Sequence, residues 1–299
     1  MNFESLIGST PLYPIEQNLF LKLEYTNLTG SVKDRAALEM VMDGEKRGAL
    51  KPGSTIIEPT SGNTGISLAA IAAQRGYGCI IVMPDSMSIE RRQMMEAFGA
   101  KIVLTPGKSG MAGSVEKARA LAAQIEGAFI PGQFENPANA MAHYRTTGPE
   151  IWAQTNGRVD VFVAGVGTGG TVTGVGRFLK ERNPGIRVVA VEPAKSPLLS
   201  GGQAGNHGIQ GIGANFVPQV LDVSLLDEVC PVTDEEAFES ARALARQGIL
   251  AGISSGAAYH GAKTIAKANP DKNVVAILPD SGSRYLSTGL YYDSQSGKV

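Results

Sequence analysis

The sequence predicts an α/β protein in which doubly wound parallel sheets form three-layer α/β/α domains. Short apolar runs rich in β-branched residues alternate with helical patterns along most of the chain, as in repeated βα units. The runs are apolar throughout rather than alternating, which is typical of parallel strands covered on both faces. At 299 residues and 43% hydrophobic content, the chain is too long for one small core and predicts two compact units.

The elements follow in order along the chain. The predicted strands cover 55–58, 79–84, 101–105, 159–166, 187–193 and 274–279. The predicted helices cover 63–75, 88–98, 113–125, 170–182, 234–246 and 255–268, and Thr233 followed by Glu236 predicts a capping box for the fifth. A polar connector at 133–140 marks one candidate boundary. The loop-rich segment 196–218, around His207, is predicted to be mobile or to face a ligand.

Composition excludes several classes of function. A net charge of -1, from 27 basic and 28 acidic residues, predicts no nucleic-acid partner. The apolar runs are far shorter than a membrane span, and the first residues lack the features of a signal peptide. Two distant cysteines predict no disulfide framework. We therefore expect a cytoplasmic protein that neither spans a membrane nor binds a metal ion through its cysteines.

A lysine stands where its charge is disfavoured. The stretch G-S-V-K-D-R-A-A-L-E-M predicts a helix that begins at Ser31, with Ser31 capping the first turn and Lys33 and Arg35 close behind it. The positive end of the helix dipole destabilises an ammonium group there, so we expect the pKa of Lys33 to fall. A neutral amine is what Schiff-base chemistry requires.

A glycine-rich loop indicates phosphate binding. The segment G-V-G-T-G-G, residues 165–170, follows a predicted strand and opens a predicted helix. Successive amides at a helix start, unobstructed by Cβ atoms, can bind any phosphate. The same spacing fits a dinucleotide, with Glu192 as a ribose-binding acid, so a nicotinamide-dependent dehydrogenase remains an alternative, as does a tight turn without a ligand.

A second junction carries T-S-G-N-T-G, residues 60–65, between a strand and an apolar helix. Its free amides and the hydroxyls of Thr60, Ser61 and Thr64 suit a carboxylate, and Asn63 can bond a ring substituent. Helix capping alone would need one such residue, whereas this loop has four of them with two glycines. A nucleophilic lysine, a phosphate loop and a carboxylate loop together predict pyridoxal phosphate and an amino-acid substrate.

Ser254 lies within G-I-S-S-G, residues 252–256, which matches a hydrolase nucleophile elbow. The last histidine, His260, follows only six residues later with no acid between them, so the usual triad order is not available. A serine hydroxyl can instead hydrogen-bond a pyridine nitrogen without fully protonating it. We therefore expect Ser254 to act at the cofactor ring and reject the hydrolase interpretation.

Several motifs, taken in order, resemble the cysteine synthase (O-acetylserine sulfhydrylase) family of tryptophan-synthase-β-like, fold type II pyridoxal-phosphate enzymes. They are S-V-K-D-R-A-A, E-P-T-S-G-N-T-G, M-S-I-E-R-R, Q-F-E-N-P-A-N, T-T-G-P-E-I-W, G-V-G-T-G-G-T, I-Q-G-I-G, G-I-S-S-G-A-A and R-Y-L-S-T-G. The resemblance implies a smaller domain at 38–140 inserted in a larger one, 1–37 plus 141–299, with the cofactor in the cleft between them. It also implies a homodimer and serine acetyltransferase as a candidate partner.

The resemblance assigns roles to individual residues. Lys33 would carry pyridoxal phosphate as a Schiff base and act as the general base, Asn63 would contact the ring hydroxyl, and Ser254 would meet the ring nitrogen. The cofactor phosphate would be held by Gly167, Thr168, Gly169, Gly170 and Thr171. The substrate carboxylate would be bound by Thr60, Ser61, Thr64 and Gln133.

The implied reaction is β-replacement, in which O-acetyl-L-serine and sulfide give L-cysteine and acetate through an aminoacrylate. P-D-S-G near Asp280 is typical of a branch that also accepts thiosulfate, whereas I-Q-G-I-G-A-N-F-V-P is typical of the sulfide branch. Use of homocysteine, as in cystathionine β-synthases, is an alternative, although Ser61 stands where those enzymes usually have alanine. A catalytically silent homologue is a third alternative, which the intact Lys33 disfavours.

Overall fold

The computed structural model describes residues 3–86 and 88–291. The chain forms two compact units: Met1–Ile7 with Lys33–Asn139, and Gly8–Val32 with Ala140–Val299. The family resemblance implies a first boundary at 38 and places residues 1–37 in the larger domain. The observed first unit instead includes Met1–Ile7 and resumes at Lys33, because the helix that starts there buries its apolar side within this unit. The second boundary, 139/140, lies one residue before the predicted position.

The strands of the described residues are, in chain order, β1 (Leu12–Glu16), β2 (Leu19–Leu23), β3 (Thr55–Pro59), β4 (Gly78–Pro84), β5 (Lys101–Thr105), β6 (Ala128–Phe129), β7 (Val161–Gly165), β8 (Arg187–Pro193), β9 (Glu228–Val232) and β10 (Val274–Leu278). Their α-helices are α1 (Lys33–Lys46), α2 (Asn63–Arg75), α3 (Ile89–Ala97), α4 (Gly110–Ala122), α5 (Ala138–Arg145), α6 (Thr147–Gln154), α7 (Gly170–Arg182), α8 (Asp234–Ala245) and α9 (Ile253–Ala268).

The first unit is built on a parallel sheet with strand order β5-β4-β3-β6. Successive side chains of β3 point to opposite faces, so Ile56 joins the core under α1 and α2 while Ile57 joins the core under α4. This alternation explains why β3 is apolar throughout, and it confirms the predicted three-layer arrangement for this unit. The central strand β3 leads directly into the 60–65 loop and α2.

The second unit contains a sheet with strand order β1-β2-β10-β7-β8-β9. Val161 and Val163 of β7 face α8 and α9, whereas Phe162 and Ala164 face α6 and α7, so helices cover both faces. Within this sheet, each neighbouring pair along β2-β10-β7-β8-β9 is parallel, but β1 pairs antiparallel with β2. The antiparallel edge strand β1 is not among the strands that the sequence predicts, and the predicted strands of this sheet are parallel as expected.

The sequence pattern identifies the long elements better than the short ones. The bounds predicted for α2 and α7 are confirmed at both ends, and the capping box of α8 is present at Thr233 and Glu236. Six elements of the described residues are not predicted from the sequence: β1, β2, β6, β9, α5 and α6. None of the helices in the described part of the chain is long and apolar enough to cross a membrane.

The predicted start of α1 is wrong by two residues. The helix begins at Lys33, and Ser31 instead forms an antiparallel bridge with Asp280. The Ser31 hydroxyl is buried and has no hydrogen-bond partner among the described residues. Ser31 therefore does not cap the helix, because pairing with the segment after β10 holds its backbone in an extended conformation. Lys33 nevertheless lies at the helix N-terminus, as the sequence predicts.

A buried lysine links β2 to α6 in the second unit. Lys22 is fully buried, and its ammonium donates to the Thr10 carbonyl (2.6 Å), the Glu150 carboxylate (2.7 Å) and the Gln154 side-chain carbonyl (2.8 Å). Gln154 also donates to the Thr10 carbonyl at 2.9 Å. The cluster therefore connects α6 to the segment before β1 through a charge that is well compensated.

Replacing Lys22→Met should lower the free energy of unfolding by about 3 kcal/mol, because the Glu150 carboxylate loses its buried counter-ion. Urea titration would measure the loss, and adding Glu150→Met should recover part of it. The matched control is Lys263→Met, which removes an exposed lysine 3.9 Å from Glu16; it should change stability by less than about 0.5 kcal/mol. Equal losses at Lys22 and Lys263 would contradict the assignment.

Candidate active site

The 60–65 loop connects the end of β3 to the start of α2 in the first unit. The Thr60 amide donates to the Val82 carbonyl of β4 at 3.0 Å, and the Thr60 hydroxyl accepts from the Gly62 amide at 3.4 Å. Gly62 precedes α2 without a side-chain cap, so no side chain covers the first amides of the helix at that position. Thr60 and Thr64 are buried, whereas Ser61 and Asn63 are half-buried. The loop retains the geometry expected of an anion site.

Gln133 joins this loop from far along the chain. The Thr64 hydroxyl donates to the Gln133 side-chain carbonyl at 2.6 Å, and both residues are buried. The Asn139 side chain donates to the Gln133 backbone carbonyl at 2.8 Å. The amides of Gly132 and Gln133 donate to the Glu58 carboxylate at 3.1 and 3.3 Å. The structure thus brings Thr64 and Gln133 together, and it adds Glu58, which the sequence analysis does not single out.

Lys33 begins α1, and the first turns of α1 and α2 are tied together. The Ser67 hydroxyl of α2 donates to the Asp34 carboxylate at 2.5 Å. The same hydroxyl lies 3.0 Å from the Asn63 carbonyl. Asp34 and Ser67 are buried, whereas Lys33 is half-buried. Lys33 and Asn63 therefore stand at the starts of two helices joined by a buried hydrogen bond, and Ser67 is the residue that the sequence analysis missed.

The 165–170 loop connects β7 to α7 in the second unit. Gly169 has φ +82°, a left-handed conformation that favours glycine. A Cβ atom at Gly167 would lie 2.4 Å from the Gly211 carbonyl, so only glycine fits there. The Gly170 amide donates to the Thr168 hydroxyl at 3.4 Å, and the Thr171 hydroxyl lies 3.2 Å from His143 Nε2. The loop combines hydroxyls with a helix start, as phosphate binding requires.

Ser254 lies in the first turn of α9 and is buried. A Cβ atom at Gly211, which has φ +99°, would stand 3.3 Å from the Ser254 hydroxyl. Because Gly211 also packs on Gly167, the 196–218 segment contacts both the phosphate loop and the start of α9. The structure therefore brings the proposed phosphate and ring-nitrogen residues of this unit together through a loop that the sequence identifies only as ligand-facing.

The structure gives other contacts to the key residues of the dehydrogenase and hydrolase interpretations, Glu192 and His260. The Glu192 carboxylate accepts from the amides of Leu199 and Ser200, at 2.8 and 3.0 Å, and from the Ser200 hydroxyl at 2.5 Å. It stabilises a turn of its own chain rather than offering acceptors to a ribose. His260 lies 3.6 Å from Glu236, on a partly exposed surface.

Among residues 3–86 and 88–291, no three histidine, cysteine or acidic side chains form a metal-binding group.

The residues present fit pyridoxal phosphate. Gly167 and Gly169 keep the loop before α7 free of side chains, and Thr168 and Thr171 add hydroxyls beside the helix start. Such a cradle suits a dianionic phosphate. Taken separately, the first unit has a primary amine at a helix start and the second has a buried serine hydroxyl, which are two further kinds of group that the cofactor uses.

The chain is similar to known proteins of one enzyme family. The family model described as pyridoxal-phosphate dependent enzyme matches residues 3–280. A cysteine synthase of Staphylococcus aureus is 49% identical over 300 residues, covering 97% of this chain and 96% of the relative.

Solved structures extend the similarity to three dimensions. A cysteine synthase of Entamoeba histolytica superimposes with a TM-score of 0.94 at 44% identity, covering 99% of this chain and 92% of that one. An O-acetylserine-dependent cystathionine β-synthase of Helicobacter pylori gives a TM-score of 0.89 at 43% identity, covering 96% and 97% of the two chains. The family match over nearly the whole chain, together with these relatives, shows that the chain belongs to the pyridoxal-phosphate-dependent enzymes.

Proposed function

We propose that this protein makes L-cysteine by β-replacement, converting O-acetyl-L-serine and sulfide to L-cysteine and acetate. The observation that carries the proposal is the buried pairing of Thr64 with Gln133 beside the start of α2, in the unit where Lys33 begins α1. This arrangement offers a carboxylate site and an amine in one compact unit. The cysteine synthase from Staphylococcus aureus, similar over nearly its full length, supports the same activity.

The substrate carboxylate is assigned to the 60–65 loop. Amides at the start of α2 and the hydroxyls of Thr60 and Ser61 would provide donors, and the side chains of Thr64 and Gln133 would complete the site. The Thr64 hydroxyl donates to the Gln133 side-chain carbonyl, and the Gln133 side chain also hydrogen-bonds the Glu58 carboxylate. The orientation of the Gln133 amide therefore determines whether it presents donors to a carboxylate.

Pyridoxal phosphate, when bound, supplies an aldehyde that captures amines and a ring that withdraws electrons from the substrate Cα. Lys33 would hold it covalently, Asn63 would bond the ring hydroxyl, and Ser254 would bond the ring nitrogen. The phosphate is held by Gly167, Thr168, Gly169, Gly170 and Thr171. Serine is a weak acid and leaves the ring nitrogen largely unprotonated, which favours prompt loss of the leaving group.

Lys33 is the proton carrier of the reaction. With cofactor and substrate bound, its ε-amine would remove the Cα proton and later return one to the same carbon. Between these transfers the bond from Cβ to the acetate oxygen breaks and a bond from Cβ to sulfur forms. The start of α1 disfavours a permanent positive charge on Lys33, which helps the amine act as a base.

Homocysteine is the alternative nucleophile. The similar Helicobacter pylori enzyme is an O-acetylserine-dependent cystathionine β-synthase, so the same acetylated substrate serves a second thiol in that protein. Ser61, within the carboxylate loop, differs from the alanine expected for that activity. Thiosulfate is a third donor, supported by the P-D-S-G motif at Asp280.

The family resemblance also supports a cytoplasmic homodimer and serine acetyltransferase as a partner. Sedimentation of the purified holoenzyme tests the dimer. Addition of the acetyltransferase, followed by the same sedimentation measurement, tests the partnership.

The activity itself is tested with O-acetylserine and, in parallel, sulfide, thiosulfate and homocysteine. We expect L-cysteine with sulfide to form with the highest kcat/KM, measured by amino-acid analysis of the products. Cystathionine as the preferred product would replace the proposal with the homocysteine alternative. A holoenzyme inert toward all three donors would refute both.

Replacing Lys33→Ala should lower kcat by at least about 10²-fold, because the reaction loses its general base. Hydride reduction followed by peptide mass spectrometry should find the cofactor attached to residue 33 in the unchanged protein and absent in the variant. Lys46→Ala, at the far end of the same helix, is the control and should retain both activity and the adduct. An adduct on another lysine would contradict the assignment.

Replacing Gly167→Ala should weaken binding of pyridoxal phosphate at least about tenfold, because the new Cβ would meet the Gly211 carbonyl at 2.4 Å and displace the phosphate loop. Absorbance after equilibrium dialysis measures the dissociation constant. Gly185→Ala is the control, since its Cβ would meet only the end of the Asn183 side chain, at 3.2 Å. Unchanged affinity in Gly167→Ala would remove the loop from the cofactor site.

A further inference from the structure

Glu58 is a buried carboxylate that the proposed chemistry leaves without a role. It lies near the end of β3, two residues before Thr60, and is only 1% exposed. Its two oxygens accept from consecutive backbone amides, Gly132 at 3.1 Å and Gln133 at 3.3 Å. A side chain this buried cannot serve as a surface charge, so its two bonds need an explanation.

The two amides belong to a turn that presents them to an anion. Gly132 has φ +71°, and a left-handed residue in such a turn can direct successive N–H groups toward one point. Here the anion is a carboxylate of the same chain. The Glu58 carboxylate therefore stabilises the backbone conformation at Gly132 and Gln133 from inside the unit.

Burial disfavours the charged form of the Glu58 carboxylate, and hydrogen bonds from the backbone amides offset part of this free-energy cost. Desolvation raises the pKa of Glu58 to about 7, and the nearby charge of Glu135 adds to the rise. The amides of Gly132 and Gln133 act in the opposite direction by favouring the charged form. Buried Cys79 on β4 is the other titratable neighbour, and desolvation together with the charge of Glu58 raises its pKa to about 12. A strand-end residue with only a packing role would not need a buried acid.

The same turn carries the residue that the carboxylate site depends on. The Gln133 side-chain carbonyl accepts from the Thr64 hydroxyl at 2.6 Å, and the Gln133 backbone carbonyl accepts from Asn139 at 2.8 Å. Glu58 accepts from the Gln133 backbone N–H and also hydrogen-bonds the Gln133 side chain. Asn139 donates to the Gln133 backbone carbonyl, and Thr64 donates to its side-chain carbonyl. All four residues lie in the first unit.

We propose that Glu58 is a positioning residue for substrate recognition, which holds the Gly132–Gln133 turn and thereby keeps the Gln133 side chain and its partner Thr64 in place beside the proposed carboxylate loop. Glu58 does not itself contact the substrate. The inference rests on the proposed function, since it assumes an amino-acid substrate at the 60–65 loop. It predicts that changes at Glu58 weaken recognition of the carboxylate-bearing substrate and leave the later chemistry largely intact.

The test compares Glu58→Gln with the unchanged holoenzyme. The neutral amide keeps the shape of the side chain but can accept from only one of the two backbone N–H groups. We expect the KM for O-acetylserine to rise about tenfold while kcat changes by less than about threefold, the size expected for losing a hydrogen bond to a charged group. The kcat/KM for sulfide, which has no carboxylate, should change by less than about threefold.

Glu192→Gln is the matched control. Glu192 is also a buried strand-end glutamate that accepts from two consecutive amides, but it stabilises a turn in the second unit. It should leave the KM for O-acetylserine within about twofold of the unchanged enzyme. An equal rise in both variants, an unchanged KM in Glu58→Gln, or equal losses toward both co-substrates would overturn the inference.

A backbone variant keeps the test valid if Glu58→Gln fails to fold. A Cβ at Gly132 would meet no atom within 4 Å, so Gly132→Ala strains only the backbone that Glu58 stabilises. We expect the same selective rise in KM. Gly53→Ala, with φ +85° and equally open space in a turn before β3, carries the same strain and should not change KM. Equal KM values in the two alanine variants would contradict the proposal.

Calorimetric binding of L-serine separates this inference from the proposed function. L-serine has the carboxylate and amine of the substrate but a poor leaving group, and Glu58→Gln should weaken its binding about tenfold. An unchanged enzyme that binds L-serine but makes no cysteine would refute the proposed function while the Glu58 comparison still stands. An unchanged enzyme that does not bind L-serine would refute both.

Discussion

The chemistry of this protein depends on the amide groups that parallel strands leave at the starts of their following helices. In a parallel sheet these helix starts lie at the carboxyl ends of the strands, and their first N–H groups have no partner inside the helix. The 60–65 loop follows β3 and opens α2, and the 165–170 loop follows β7 and opens α7. Both loops therefore place helix-start amides where we propose that anions bind.

Two buried carboxylates of the chain itself also accept hydrogen bonds from backbone amides, and each stabilises the turn that carries those amides. Glu58 ends β3 and Glu192 ends β8, and each accepts from two consecutive backbone amides. One of these turns carries Gln133 and the other does not, so we propose that only the Glu58 interaction affects substrate recognition. The contrast shows how a buried charge can be explained by the segment it orders rather than by a reaction it performs.

Glycine allows backbone segments to pack closely against each other around the 165–170 loop. A Cβ atom at Gly167 would meet the Gly211 carbonyl at 2.4 Å, and one at Gly174 would meet the Ala140 carbonyl at 2.1 Å. These contacts pack the start of α7 tightly against its neighbours and leave little freedom to the phosphate loop. The abundance of glycine, 37 residues, thus reflects close approach as well as turns.

The sequence by itself determined the α/β class, the long buried strands, the two anion loops and the lysine at a helix start, because each depends on local periodicity or on residue types at short spacing. Tertiary structure alone decided the antiparallel strand β1, the bridge that moves the start of α1 from Ser31 to Lys33, and the pairing of Thr64 with Gln133. It also decided that Glu58 faces the Gly132–Gln133 turn and that Gly211 joins Gly167 to Ser254. These contacts join residues far apart in the chain, and their partners follow from how the sheets and helices pack rather than from any local pattern.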